Sequence, residues 1–282
     1  IEIKVGSPSQ ASGSTNPDPD LPDDTAFLAW EVDDDDVWLG EAIEAKLVLY
    51  YRNGLNITRF NAGEVNLTGF WNDEHEQDER RNRARRIQKG AYIFISKDVS
   101  HYTLYPLRAG EQNLPQVNVE MTLSRGGFFD ARRGTRIDRV TRPIPINVRA
   151  LPVEGRPKKF SGLTVGHISL KSRLDRRRVR ADEGVQLEVE TRSEGLMQNV
   201  PDITLPDLPD FQIFPSTTDI KKVRRGERRI TIRKQTWLLR PKKSGRISIP
   251  AFSLGYFDPE AGHYKTARTR NLSLVVSGQP KA

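Results

Sequence analysis

The sequence predicts an all-β chain that contains two tandem immunoglobulin-like β-sandwich domains, and three observations support this fold class. First, residues 37–47 return as residues 179–189: in each copy a valine and a glutamate precede apolar residues at alternate positions, the pattern of a half-buried strand. Second, a length of 282 residues allows about two domains of roughly 100–200 residues each. Third, a Pro–Gly–Pro spacing recurs, as Pro106, Gly110 and Pro115 and again as Pro241, Gly245 and Pro250.

The first predicted element is a strand over residues 1–5, whose alternation of apolar and polar residues stops at Gly6. Residues 144–148 and 272–276 show the same alternation before a turn at the predicted ends of the two domains. We therefore predict that residues 1–5 are the trailing strand of a preceding domain. Residues 6–24 are mostly polar and are predicted to form a linker.

Domain one is predicted over residues 25–150. Its expected strands lie at residues 27–32, 42–51, 91–96, 101–105 and 116–123. Residues 72–89 are highly charged and have almost no apolar residue to anchor them. We predict that this segment is an insertion that projects from the sandwich as a short helix or a disordered loop.

Domain two is predicted over residues 164–278, after a linker at residues 151–163. Its expected strands lie at residues 167–174, 185–192, 211–214, 229–239, 246–249, 253–256 and 271–276. Turn residues at this spacing favour a sandwich over βαβ units. Alternation in residues 229–233 predicts that Ile230 and Ile232 face the core and that the arginines face water.

Charge is unevenly distributed between the two domains. Residues 163–282 contain 23 Lys and Arg against 13 Asp and Glu, a net charge of +10, whereas residues 1–162 contain 22 against 24, a net charge of −2. This asymmetry indicates an anionic partner for domain two. The chain has no cysteine, which argues against a disulfide-stabilised eukaryotic secreted array. It starts at Ile1 and has no long apolar run, so we expect a piece of a longer protein.

Several short motifs stand in and just before domain two: Leu-Pro at 151–152, Gly-Arg-Pro at 155–157, Tyr-Phe-Asp-Pro at 256–259 and Gly-His-Tyr at 262–264. These motifs resemble the BatD-like oxygen tolerance (aerotolerance) family of bacterial envelope proteins. The resemblance implies stacked immunoglobulin-like domains on the periplasmic or extracytoplasmic face, anchored by a membrane helix outside this piece. It also implies two kinds of partner: von Willebrand factor A-type proteins and a MoxR-type AAA ATPase.

No catalytic set is recognisable in the sequence. A nucleophile elbow, a Walker loop and a dinucleotide fingerprint are all missing, and the four histidines have no metal-ligand spacing along the chain. We therefore predict a protein that is not an enzyme and that has no catalytic residue, no cofactor and no metal site. Residues 33–36 are four consecutive aspartates, which could hold Ca²⁺ or form a solvated turn; the turn is favoured because consecutive side chains cannot all face one ion.

Basic residues in domain two form the predicted partner-binding surface. The candidates are Arg176, Arg177, Arg178, Lys221, Lys222, Arg224, Arg225, Arg228 and Arg229, with Arg233, Lys242 and Lys243 in the same cluster. They could contact an acidic protein, an anionic lipid or acidic envelope surface, or only keep the protein soluble. Nucleic acid is not expected, because aromatic residues are not interleaved with the arginines.

Two function classes follow. The first is a non-enzymatic scaffold whose modules bind other envelope proteins. The second is a carbohydrate-binding sandwich that acts on envelope polysaccharide, which would require exposed aromatic side chains in one plane; only Trp71 and Phe128 are candidates. Trp237 lies in an apolar strand and corresponds to Tyr102 in the repeat, so both are predicted to be core residues.

Overall fold

The structure, a computed structural model, describes residues 4–5, 25–76, 83–124, 134–158, 160, 162–225 and 228–278. It is an all-β protein, as predicted, with one short 3-10 turn at Met197–Asn199 among the described residues. The chain divides into two compact units between Ala150 and Leu151, with residues 40–42 assigned to the second unit. Each unit is described below by itself.

The first unit contains one large sheet and two sheets of three strands. Its described strands are, in chain order, β1 (Lys4–Val5), β2 (Ala26–Val32), β3 (Asp36–Trp38), β4 (Ile43–Arg52), β5 (Asn56–Ala62), β6 (Phe70–Glu74), β7 (Arg85–Lys89), β8 (Tyr92–Pro106), β9 (Gly110–Leu114), β10 (Asn118–Ser124), β11 (Thr135–Val140) and β12 (Ile144–Arg149). The large sheet has the order β1-β2-β4-β8-β6, and β7 also pairs with β8. The smaller sheets have the orders β3-β12-β9 and β11-β10-β5.

The second unit is built on a similar plan. Its described strands are β13 (Ile168–Leu174), β14 (Arg178–Arg180), β15 (Val185–Ser193), β16 (Phe211–Ile213), β17 (Thr217–Arg225), β18 (Arg228–Pro241), β19 (Gly245–Ile249), β20 (Ser253–Asp258), β21 (His263–Arg268) and β22 (Leu272–Ser277). The large sheet has the order β13-β15-β18-β16, and β17 also pairs with β18. A second sheet has the order β14-β22-β19, and β20 pairs with β21.

The repeated prolines and glycines occupy matching positions. Pro106 and Pro241 are the last residues of β8 and β18, and Gly110 and Gly245 are the first residues of β9 and β19, with φ of 101° and 99°. A positive φ of this size is strained for any residue with a Cβ, which explains the glycine at both turns. The short strands β3 and β14 each pair in parallel with the final strand of their unit. The two units therefore share these features of topology.

Apolar side chains form a separate core in each unit. The first core includes Trp30, Tyr102 and Leu104, and the second includes Trp237 and Leu239. Tyr102 and Leu104 are alternate residues of β8, and Trp237 and Leu239 are alternate residues of β18, so each pair lies on one face of its strand. Tyr102 and Trp237 are both buried, as the repeat predicts.

The prediction of a projecting helix or loop at residues 72–89 is wrong for the residues of this segment that the structure describes. The two ends of the segment belong to β6 and β7, and both strands pair with β8. A strand at the edge of a sheet needs backbone partners but not a run of apolar residues, so charged residues can occupy it. Arg85 accordingly lies on the surface and pairs with Asp98 at 2.9 Å. Residues 77–82 lie outside the described part of the chain.

Residues 4 and 5 pair with Val32 and Glu31 of β2, so they extend the large sheet of the first unit. The assignment of residues 1–5 to a preceding domain stays a prediction. No helix among the described residues has the length and apolar character needed to cross a bilayer.

Candidate functional site

An open groove of about 450 Å³ lies on the second unit beside the end of β13 and the strands β14, β22 and β19. Four arginines line it, and the other lining residues are polar or aliphatic. The described lining residues are Ser172, Arg173, Leu174, Arg177, Arg178, Arg246, Asn271, Leu272, Ser273 and Val275. Because these described residues include no carboxylate, the groove is a basic surface.

Local hydrogen bonds place the arginines. Asp175 follows β13 and accepts a hydrogen bond from the backbone N–H of Gln186 on its Oδ1 at 2.8 Å, which fixes the turn. The N–H of Val275 donates to the carbonyl of Arg177 at 2.9 Å and joins this turn to β22. In β14 the alternation sends Val179 into the core and leaves Arg178 exposed.

The four arginines differ in whether an acidic side chain forms an ion pair with them. Arg173 donates from Nε and Nη2 to the two carboxylate oxygens of Glu188, at 3.0 and 2.9 Å. This contact raises the pKa of Arg173 and lowers the pKa of Glu188. The ion pairs among the described residues include none for Arg177, Arg178 or Arg246. These three guanidinium groups give the groove its net charge.

The other sequence-predicted candidates are distributed over two places. Arg176 directly precedes the groove residues and contacts Asp175 at 3.6 Å and Glu183 at 4.0 Å. On the β17–β18 hairpin, Lys221 and Lys222 are exposed and Arg229 is half-buried. The remaining hairpin candidates pair through their backbones, but their side chains lie outside the described part; they are Arg224, Arg225 and Arg228.

The hairpin and the groove are separate surfaces. β13 and β17 lie on opposite sides of the large sheet's central strands, with β15 and β18 between them. Three strand spacings correspond to about 14 Å. Sequence reasoning placed these cations in one cluster, whereas the structure brings Arg177 and Arg178 together with Arg246. Arg246 was not predicted, because it reaches the groove only through the pairing of β19 with β22.

The predicted exposure of the arginines in residues 229–233 is wrong for Arg233. Its buried side chain donates from Nη1 to the carbonyl of Val200 at 3.0 Å and from Nη2 to the carbonyl of Pro201, and Nη1 pairs with Oδ1 of Asp202 at 2.9 Å. Burial lowers the pKa of Arg233, and the charge of Asp202 opposes that change. Arg233 therefore holds the extended segment at residues 200–202 and is not part of a partner-binding surface.

The aspartate run at residues 33–36 makes contacts within the first unit. Asp33 accepts a hydrogen bond from the N–H of Glu44 at 2.8 Å, and Asp36 accepts one from the side-chain amide of Asn147 at 2.9 Å. Although Asp33 as a whole residue is exposed, removal of water from its carboxyl group and the charge of Glu44 raise its pKa to about 6. These contacts favour a structural turn.

The aromatic candidates for carbohydrate binding receive no support from the described residues. Trp71 is half-buried and packs on Tyr105, with ring centroids 5.6 Å apart. Phe128 lies outside the described part of the chain. Trp71, the one member of the pair that the structure describes, therefore does not form an exposed aromatic plane.

The groove lies inside a segment of the chain that matches a protein-family model. A family model, the BatD DUF11 like domain, matches residues 172–276. Residues 172–276 of the second unit form a BatD-like domain. This match confirms the family resemblance that the motifs predicted, and it includes all the groove residues of the BatD-like domain. A comparison with curated proteins found no match.

Proposed function

We propose that the chain is a set of non-enzymatic protein-interaction modules of an exported, membrane-anchored bacterial protein of the BatD type. Its partners are von Willebrand factor A-type proteins, with a MoxR-type ATPase in the same system, and its role lies in envelope stress or oxygen tolerance. The observation that carries the proposal is the basic groove within the BatD-like domain. The family resemblance supports the choice of partners.

The lining of the groove suits an acidic protein surface. The guanidinium groups of Arg177, Arg178 and Arg246 can each donate two parallel hydrogen bonds to a carboxylate. Leu272 and the exposed Val275 line the same groove and offer aliphatic surface to a neighbouring side chain. Arginine is enriched among the residues that contribute most to protein interfaces. The groove can therefore bind a protein segment in which acidic and apolar residues adjoin.

Two charge-matched variants test where the partner binds. The first variant, Arg177→Glu with Arg246→Glu, reverses two charges in the groove. The second, Lys221→Glu with Lys222→Glu, reverses two charges on the β17–β18 hairpin. Each pair of substitutions lowers the net charge of the protein by the same amount. We expect the groove pair to weaken binding of a purified von Willebrand factor A-type envelope protein at least about tenfold at about 50 mM salt, where the screening length is about 14 Å. The hairpin pair should bind nearly as the wild type does. Both should keep their fold, because exposed charges contribute about 0–1 kcal/mol each.

The measurement is an affinity titration between about 50 and 300 mM salt, with vesicles of anionic lipid as a second ligand. Equal binding by the wild type and the groove pair would remove the groove from the interface. A loss confined to the hairpin pair would move the interface to β17. If only the vesicles bind, and the groove pair abolishes that binding, the groove is a lipid-binding surface and the protein-partner proposal is wrong.

A further inference from the structure

Two histidines and a glutamate meet on three adjacent strands of the first unit. Glu44 lies in β4 opposite Thr103 of β8, and His101 lies two residues earlier in β8. His75 directly follows β6, and its backbone N–H donates to the carbonyl of His101 at 2.8 Å. The pairing of β4, β8 and β6 thus gathers residues that are up to 57 positions apart along the chain.

The side chains form one compact polar group. Nε2 of His101 lies 2.6 Å from Oε2 of Glu44, and Nε2 of His75 lies 3.9 Å from the same oxygen. The hydroxyl of Thr103 donates to Oε1 of Glu44 at 2.9 Å and lies 2.7 Å from Nε2 of His75. The two imidazole rings have centroids 3.9 Å apart. In the described part of the chain, this is the one group of three such residues whose ligand atoms lie within 4.8 Å of one another.

Water has limited access to this group. The side chains of His75, His101 and Glu44 are 2%, 13% and 16% exposed. A carboxylate in such a place is stabilised by a positive charge beside it, which a proton on an imidazole or a metal ion can provide. Two imidazole nitrogens and one carboxylate oxygen are a common donor set for Zn²⁺, and three protein ligands leave a fourth position open.

The second unit shows that the fold does not require these residues. Counting back from the matching prolines at the ends of β8 and β18, Thr103 corresponds to Leu238, and the residue opposite Leu238 in β15 is Gln186. His101 corresponds in the same way to Thr236. Leu238 is 43% exposed, so this position in the second unit is an ordinary surface. Glu44 and His101 therefore have no equivalent acid or imidazole at the matching positions of the second unit.

We propose that Glu44, His75 and His101 form a Zn²⁺ site, with the carboxylate and both Nε2 atoms as ligands and the fourth position open to water or to a partner's side chain. Tetrahedral coordination at bond lengths of about 2.1 Å requires ligand atoms about 3.4 Å apart. The separations of 2.6 and 3.9 Å from Glu44 lie on either side of that value, and the ligand atoms of all three residues lie within 4.8 Å of one another. Zinc binding requires small shifts of these side chains, including movement of Nε2 of His75 away from the hydroxyl of Thr103. Thr103 stays hydrogen-bonded to the second carboxylate oxygen and orients the ligand.

The test is a zinc titration of the whole chain after removal of bound metal, with a competing chromophoric chelator. We expect one Zn²⁺ per chain with a dissociation constant of about 10 µM or tighter. Glu44→Gln and His101→Ala should each weaken binding at least about tenfold, and the double variant should abolish it. Substitution of the two histidines of the second unit, His167→Ala with His263→Ala, provides the matched control and should leave zinc affinity unchanged.

Two further readouts separate a ligand set from a merely structural polar group. Cobalt should give the visible absorption bands of tetrahedral coordination in the wild type and lose them in Glu44→Gln. Zinc should raise the thermal midpoint of the wild type but not that of Glu44→Gln, because only a ligand that binds the folded state stabilises it. Zinc binding that is unchanged in the double variant, or wild-type binding weaker than about 10 µM, would overturn the proposal.

Discussion

Arg233→Met is expected to lower the free energy of unfolding of the BatD-like domain by about 2–4 kcal/mol. The buried guanidinium donates to the carbonyls of Val200 and Pro201 and pairs with Asp202. Methionine retains much of the volume but leaves these carbonyls without their donor. Each lost hydrogen bond to a charged group costs about 1.5–3 kcal/mol of stability. Because methionine carries no charge, the variant no longer has to bury a charged group, and this offsets part of the loss.

Lys234→Met is the matched control on the neighbouring residue of the same strand. Lys234 faces the opposite side of the sheet and lies 3.7 Å from both Glu188 and Glu190, so we expect a loss below about 1 kcal/mol. Hydrogen exchange of amides in β15 and β18 reports the stability of this unit directly. If Arg233→Met is as stable as the wild type, the arginine only fills space.

The error at Arg233 shows which information the sequence lacks. Ile230 and Ile232 alternate with arginines, which predicts that the isoleucines are inside; Trp237 and Leu239, further along the same strand, lie on the face of Arg233. A strand keeps its alternation, so the two apolar pairs point to opposite faces and cannot both be in the core. The core around Trp237 fixes the register. The segment that supplies acceptors for Arg233 lies about 30 residues earlier in the chain, and no local sequence pattern indicates that it contacts Arg233.

Other successes and failures follow the same physical distinction. The duplication predicted the ends of β8 and β18 and the turns at Gly110 and Gly245, because proline and glycine restrict the backbone locally. The strands β6 and β7 were missed, because an edge strand is stabilised by its neighbour and its charged residues carry no strand signal. The groove and the histidine–glutamate group are assembled from distant strands, so their residues have no characteristic spacing.

Asp258→Ala is expected to destabilise the BatD-like domain by about 2–4 kcal/mol at neutral pH. The side chain is 3% exposed, and its Oδ2 accepts from Nζ of Lys265 at 2.7 Å. Its Oδ1 accepts from the N–H of Ala261 at 3.1 Å, which closes the turn between β20 and β21. Alanine would leave the N–H without this acceptor and the ammonium without its partner. Asp182→Ala, at an exposed aspartate that contacts Arg180 at 3.5 Å, is the control and should cost less than about 1 kcal/mol.

The effect of Asp258 should also depend on pH with a definite sign. Burial by itself would raise the pKa of Asp258, but the contacts with Lys265 and the N–H of Ala261 outweigh it and bring the pKa below the ordinary value of 3.8. A carboxyl group whose pKa is lower in the folded state stabilises the fold above pH 3.8, and this contribution is lost as the pH falls through the folded-state pKa. Urea unfolding of the wild type and of Asp258→Ala, together with hydrogen exchange of β20 and β21, should therefore differ most at neutral pH and less in acid. A difference that stays constant from about pH 7 to below about pH 3 would mean that Asp258 acts through packing and not through its charge.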